Sequence, residues 1–452
     1  MLERHLDGLG SDTPDAGSRA PSPRAVDVIV LGAGIVGVST ALHLLKRGLT
    51  VALVDHQAPG LETSDANGGI IDGSGCPPAL FPESLLSELP AIRRGTSAHR
   101  LDWLSARQWA GPFLRMAMGG AGDRAGLART LGPLMRQALL EHRALLRLAS
   151  AERFLRDTGV LDIYRSAAGF DRDSAVLDVA RGLGANPEIL TAQEVTDLEP
   201  ALRPIFSCAV LWRDSFSVSD PGLVTKRFAD LFGAWGGLVA IGEAADLKRE
   251  AGGWRLVCDR GLLTAPRVVL CLGPWTGEAL GRLGRPLPFA PVRGYRRHYA
   301  APEGNDLAVP VVDVEAGFTL TPTGRGVRLT TGREWTGLNR PASHRSVQRA
   351  IEGARELFPL GEPRDQVMVA THSGLPDGLP VIGAVPGIDG LWINAGHGAL
   401  GYTLGPVTAR MVTDLLTNQP STLDPTPFAC ERLAGGWHAL LSGRRKVAAP
   451  AA

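Results

Sequence analysis

The chain has 452 residues, more than one ordinary hydrophobic core accommodates, so about two or three folding units are expected. A formal net charge of +1 gives no global electrostatic case for nucleic acid or an anionic membrane as partner. The cysteines, Cys76, Cys208, Cys258, Cys271 and Cys430, are odd in number and lack a C-x-x-C pair, which argues against a disulfide framework and for reduced thiols in a cytoplasmic protein. No apolar run reaches the roughly 18 residues needed to cross a bilayer. Residues 1–24 are rich in Ser, Pro, Asp and Arg without the apolar core of an export signal, which predicts a disordered leader, and residues 433–452 predict a loose tail.

In chain order, the aliphatic run Val28 to Leu31 meets Gly32, Ala33, Gly34, Ile35, Val36 and Gly37, and apolar residues then recur at helical spacing through Val38, Leu42 and Leu45. The pattern predicts strand, tight turn and helix. Gly32 turns the chain, Gly34 lets backbone N–H groups reach a pyrophosphate, and Gly37 permits close helix packing. Thr50 to Val54 reads as a second buried strand, with Asp55 placed to accept from a ribose hydroxyl. Together these point to a dinucleotide, either NAD or FAD. Leu61 to Gly69 (LETSDANGG) fits neither helix nor strand. As a loop it offers Thr63, Ser64 and Asn67 for side-chain hydrogen bonds and Gly68 and Gly69 for close approach of a flat ligand.

Pro78 to Leu155 reads as helical, divided at Pro82, Pro90 and Pro112. Within it, residues 101–118 carry Trp103, Leu104, Trp109, Phe113, Leu114 and Met118. These suit either packing on the main domain or a membrane-surface or subunit patch. Gly159 to Arg165 predicts a strand, and Thr191 with Glu194 forms a capping box opening a helix that Pro200 stops. Asp220 and Pro221 start a helix through Trp235, followed by short strands at Leu238–Ile241, Trp254–Cys258 and Leu262–Ala265. Arg267 to Leu272 is a parallel-type run ending in Gly273, Pro274 and Trp275, so the first domain resumes there. Pro291–Ala300, Val309–Val312, Gly317–Leu320, Gly326–Thr330 and Gln366–Thr371 predict an antiparallel sheet, with a helix from Ser343 to Leu357 between them. Leu391–Ala395 is a last strand. Gly396 to Gly401 then opens a helix carrying Leu404, Val407, Met411 and Leu415, whose N-terminus suits developing negative charge.

The fold class expected is α/β: a Rossmann-like cofactor-binding domain with an inserted α+β substrate domain on an antiparallel sheet. Residues 25–76, 201–285 and 384–432 form the first, and 77–200 with 286–383 the second.

Gly32 to Gly37 with Asp55, then LETSDANGG, VVLCLGPW and NAGHGALGYT, together resemble the glycine oxidase, sarcosine oxidase and D-amino acid dehydrogenase family of FAD enzymes over about Val26 to Arg432. LETS-x-AN-x-G and GHG-x-x-G are most similar to bacterial D-amino acid dehydrogenase. The resemblance implies a non-covalent FAD with its pyrophosphate on Gly32 to Gly37, its ribose on Asp55 and His56, and its adenine near Ala244. Thr63, Ser64, Asn67, Gly68 and Gly69 would follow the pyrophosphate and flavin, with Leu272, Gly273 and Trp275 nearby. Gly396, His397, Gly398, Ala399, Leu400, Gly401, Tyr402 and Thr403 would border the pyrimidine edge. It further implies hydride transfer from an amine-bearing carbon to flavin N5, giving an imine that hydrolyses to a keto product. Oxygen or a quinone would reoxidise the flavin, either in the cytoplasm or at the periphery of the inner membrane. Neither a metal nor a nucleic acid is implied.

The substrate of such enzymes would be a D-amino acid, imino acid or N-substituted amino acid or amine. A 2-hydroxy acid on the same scaffold and a flavin-binding subunit without its own catalysis are the alternatives. The family carries a carboxylate-binding arginine in an RP-x-x-PDG-like stretch; the matching THSGLPDG places His372 there. His372 is either a substrate contact or a satisfied strand-end histidine. Arg333, or Arg296 or Arg297, is a candidate displaced clamp, against a solvated strand arginine. Tyr295 is either a pocket hydroxyl or a core tyrosine.

Overall fold

The computed structural model describes residues 24–78, 85–94, 97, 99–119, 123–301, 306–338 and 340–433. The expected leader and tail, and Pro82, lie outside the described residues, apart from Arg24, which pairs with Leu263, and Leu433, which ends a 3-10 turn.

Val28–Leu31 is apolar at every position and buried on both faces, the signature of a central parallel strand. It sits third in a six-stranded sheet ordered Leu238–Ile241, Val51–Asp55, Val28–Leu31, Arg267–Leu270, Leu391–Ala395 and Val381–Ala384, in which only the last strand is antiparallel. Helix Ile35–Lys46 covers one face together with helix Gly401–Leu416. On the other face, Trp254, Leu256 and Leu263 of a small meander pack against Ile29, Leu31 and Val268. The turn between the first strand and helix is tight. Gly32 has φ +102°, and a Cβ on Gly37 would fall 1.8 Å from the Gly32 carbonyl oxygen.

A second sheet has nine strands. Its path runs Met368–Gly374, Ala290–Tyr299, Gly326–Trp335, Phe318–Thr323, Val311–Asp313, Val160–Tyr164, Cys208–Trp212 and Pro187–Thr191, with Arg100–Leu101 alongside Trp335. It is antiparallel except where Val160–Tyr164 joins Val311–Asp313 and where Arg100–Leu101 joins the third strand. Helix His344–Leu357, capped by Ser343, buries Val347, Ile351 and Ala354 against it. A small antiparallel sheet of Ile70–Ile71, Phe216–Val218 and Leu155–Arg156 lies beside helix Arg124–Leu148. The architecture is a Rossmann-like fold with an α+β unit on a largely antiparallel sheet.

Several expectations change. The LETSDANGG segment is not all loop, because Thr63–Ala66 forms one helical turn. Pro90 and Pro112 lie inside helices Leu85–Arg94 and Ala106–Gly119 rather than dividing them. Each removes a backbone donor, but around Pro112 the burial of Trp109, Phe113 and Met116 against Trp335 keeps both halves of the helix together. Cys208–Trp212 belongs to the nine-stranded sheet although it follows residue 201, since Ala209 and Leu211 point into that sheet's core. Val381–Ala384 conversely pairs with Leu391–Ala395 in the six-stranded sheet.

Residues 101–118 divide by face: Trp109, Phe113 and Met116 are buried, while Trp103, Leu104, Leu114 and Met118 are exposed. Among the described residues no helix is long and apolar enough to cross a membrane. All five cysteines are free.

Candidate active site

A cavity of about 620 Å³ is lined by both large sheets and by the loops at the C-terminal ends of the parallel strands. At one end the wall is mostly backbone. Gly32, Gly34, Ile35 and Val36 present the start of helix Ile35–Lys46, whose N-cap Gly34 supplies no side-chain cap. Ser64 Oγ accepts the Ile35 N–H at 2.9 Å, which leaves other first-turn donors for an anion. Asp55 accepts the Ala33 N–H at 2.6 Å through Oδ2, and His56 Nδ1 lies 2.7 Å from Oδ1. His56 and Trp275 meet edge to face at 6.3 Å, with Ala244, Leu272 and Gly273 on the same wall.

Ala33, Gly37 and Gly69 do not line the cavity. They hold its wall from behind: Ala33 through Asp55, Gly37 beneath Gly32, and Gly69 by donating its N–H to Asn67 Oδ1 at 2.8 Å.

Further along, Thr63, Ser64, Asn67 and Gly68 face Gly396 to Thr403. Helix Gly401–Leu416 also starts without a side-chain cap, so two uncapped helix N-termini open on one cavity. Thr63 Oγ1 donates to the Thr371 carbonyl at 2.8 Å, and Thr403 Oγ1 accepts the Asp72 N–H at 3.1 Å, tying the first turn to the nine-stranded sheet and the second to the segment that follows Ile70–Ile71 of the small sheet. His397 is held against Thr408 Oγ1 at 3.0 Å, and burial pulls its pKa down to about 4, so it is neutral near pH 7. The Tyr402 hydroxyl points away, donating to the Pro221 carbonyl at 3.0 Å.

The expected substrate residues separate. His372 and Arg333 line the cavity. Burial lowers His372 to about 4, and its Nδ1 has no hydrogen-bond partner, so it meets the cavity as a neutral imidazole. Tyr295 and Arg296 are corrections, because neither reaches the cavity. The Tyr295 hydroxyl donates to Glu334 and accepts the Ser343 N–H at 2.9 Å, an interior role that also raises its pKa through burial and the Glu334 bond. Arg296 is buried between Asp65 and Asp365 and has no freedom to clamp a ligand. Arg297, the neighbouring alternative, donates to the Asp365 carbonyl at 2.9 Å.

Sequence reading missed the inner end of the cavity, where Asp72, Arg124, Asp162, Tyr164, Asp173 and Trp212 converge. Arg124 pairs with Asp173, which also accepts the Tyr164 hydroxyl at 3.0 Å. Asp162 Oδ2 accepts the Trp212 indole N–H at 2.9 Å, and burial together with nearby Asp72 pushes its pKa up to about 7. Burial also raises Asp72. A carboxylate inside the apolar strand VLDIY was the one available signal.

The model of the family FAD dependent oxidoreductase (DAO) matches residues 27–415. The chain belongs to this family. A D-amino acid dehydrogenase of Allorhizobium ampelinum is 29% identical over 90% of this chain and 99% of its own length. A glycine oxidase of Pseudomonas aeruginosa is 27% identical over 89% and 98%. The solved glycine oxidase of Geobacillus kaustophilus superposes with a TM-score of 0.71 at 22% identity, covering 90% of this flavoenzyme and 98% of that chain.

FAD is the cofactor, and the residues present fit it. Two helix N-termini whose N-cap residues supply no side-chain cap, together with the glycine turns, would offer backbone donors to phosphates and to the electron-rich edge of a flavin, and Asp55, at the end of its strand on the cavity wall, would be the residue to meet a ribose hydroxyl. When bound, FAD supplies the hydride acceptor. The chain supplies binding, orientation and the field around it.

Proposed function

We propose that the protein oxidises the C–N bond of an amino or imino acid, with FAD held between the six-stranded sheet and the nine-stranded substrate sheet. The observation that carries this reading is the continuity of one cavity from Gly32 and Gly34, through the two uncapped helix N-termini, to His372 and Arg333 and on to Asp162. Cofactor and substrate residues share one space, as direct reduction of a flavin by substrate requires.

In this reading Arg333 takes the substrate carboxylate, and neutral His372 lines the pocket beside it without competing charge. The inner chamber sets three carboxyl groups against the one guanidinium of Arg124. Asp173 is already paired with Arg124, and burial holds Asp72 and Asp162 toward their neutral forms; a substrate ammonium beside them would favour their ionised forms, whereas the only charge of a 2-hydroxy acid is negative and gains nothing from them. The relatives named D-amino acid dehydrogenase and glycine oxidase support the same class. Oxygen or a quinone then takes the electrons, and the exposed Trp103, Leu104, Leu114 and Met118 offer the surface where a membrane or subunit would meet the protein.

Anaerobic mixing of the FAD-loaded protein with D-amino acids, N-substituted glycines, simple amines and 2-hydroxy acids tests the proposal. Bleaching of the flavin absorption by amino or imino acids is the expected result. Bleaching by hydroxy acids alone contradicts it.

A further inference from the structure

Behind the Thr63–Gly68 turn, on the side away from the cavity, lies a buried chain of charged groups that cofactor contact does not explain. Arg328, in strand Gly326–Trp335, is 2% exposed. Its Nη1 donates to the carbonyl of Asp65 at 3.0 Å and to that of Asn67 at 2.6 Å. Its Nε donates to His298 Nε2 at 3.0 Å, and His298 Nδ1 lies 2.6 Å from Asp365 Oδ2. One tautomer satisfies both contacts: Nδ1–H donates to the carboxylate, and the Nε2 lone pair accepts from the guanidinium. Asp365 Oδ1 also accepts the His298 backbone N–H at 2.9 Å. Arg296 completes the set by pairing with both Asp65 and Asp365. Two guanidinium groups thus face two carboxylates around a neutral imidazole, a balanced cluster that can stay buried.

The direction of these bonds matters for the cofactor. Every peptide bond here is trans, and in a trans peptide the carbonyl of one residue and the N–H of the next point in opposite directions. Fixing the Asn67 carbonyl on Arg328 therefore turns the Gly68 N–H away from Arg328. Gly68 lines the cavity. Gly68 also passes close to this strand, since a Cβ on it would sit 3.2 Å from Thr330 Oγ1, two residues from Arg328.

We propose that Arg328, held in orientation by Asp365 through His298, is a positioning residue that aims the Gly68 N–H at the bound flavin. The inference rests on the FAD reading of the cavity. It goes beyond that reading by assigning a cofactor role to three residues that do not line the cavity.

The test compares equilibrium FAD titration, the visible spectrum at saturating FAD, and thermal unfolding of FAD-free protein for the wild type, Arg328→Lys and His298→Gln. Lysine keeps the buried charge but has a single ammonium in place of the fork that reaches two carbonyls and His298. Arg328→Lys is expected to weaken FAD at least about tenfold and to shift the flavin bands, with the FAD-free melting temperature within a few degrees of wild type. His298→Gln leaves the arginine in place without its orienting imidazole and is expected to weaken FAD about threefold or more with the same spectral change. If Arg328→Lys fails to fold, His298→Gln decides. Wild-type affinity and spectrum in the foldable variants would overturn the proposal. So would an affinity that falls only in step with melting temperature while the spectrum at saturation is unchanged. A wild-type protein that takes up no FAD would instead overturn the cofactor reading beneath it.

Discussion

The two ends of the cavity are built from different materials. At the end proposed for the cofactor the groups on offer are backbone N–H donors at Gly34, Val36 and the Gly398–Thr403 turn, delivered by two strand–turn–helix units, each continuous in sequence. At the end proposed for the substrate they are side chains, Arg333, His372, Asp162 and the Arg124–Asp173 pair, carried by separate strands and helices. A backbone site depends on glycine and tight packing, so almost any added side chain damages it. A side-chain site tolerates substitution structurally and fails in selectivity or pH response.

The largest effect is therefore expected at the cofactor end. Gly37→Val would drive a side chain into the Gly32 carbonyl, where even a Cβ falls at 1.8 Å, and should cost on the order of 3 kcal/mol or more in denaturant unfolding along with FAD uptake. A variant of wild-type stability that binds FAD normally would show that the turn is not packed as described.

At the substrate end, Arg333→Ala should raise KM for carboxylate substrates by one to two decades, the scale of a roughly 1.5–3 kcal/mol charged hydrogen bond, while a neutral-tailed amine is unaffected. Equal losses for both would move the clamp elsewhere.

Asp162 sharpens the contrast through pH. Its carboxyl is raised from the usual 3.8 to about 7 in the fold, so the folded state holds a proton that the unfolded chain has lost. Stability from this group is present below about pH 4, falls as pH rises, and is fully lost above about 7. Asp162→Asn removes the titration and keeps an acceptor for Trp212. It should be more stable than wild type at pH 8 by up to about 4 kcal/mol, with no gain at pH 4. A pH-independent difference would contradict the assignment.

The smallest effect is expected from Tyr295→Phe. Losing the hydroxyl between Glu334 and the Ser343 N–H should cost about 1 kcal/mol in unfolding and leave KM unchanged, because the group lies outside the cavity. A raised KM would return Tyr295 to the substrate pocket.

The same division governs what the sequence made legible. The glycine turn, the capping box at Thr191 and Glu194, and the caps Asp220 and Ser343 depend on residues within a few positions of each other, and each forms as its local pattern indicates. Between the alternatives for Arg296 and Tyr295 the sequence cannot decide because their partners are remote: Asp65 is 231 residues from Arg296, and Glu334 is 39 from Tyr295. No spacing rule reveals that a strand arginine already has two carboxylates. The inner chamber escaped for the same reason, since Asp72, Asp162 and Asp173 meet only when the small sheet, the large sheet and helix Ala167–Gly182 assemble. The assignment of residues 201–285 to the first unit fails at Cys208–Trp212 for the same reason, since its antiparallel partners, Val160–Tyr164 and Pro187–Thr191, lie outside that range.

The division of the cavity is tested most directly by competitive titration of the FAD-free protein with FAD, FMN and riboflavin. If the Gly32–Val36 turn and Asp55 hold the adenosine diphosphate half, FAD should bind at least about 100-fold more tightly than FMN, and Gly34→Ala should remove most of that advantage. FMN binding as tightly as FAD would contradict an extended dinucleotide along this wall.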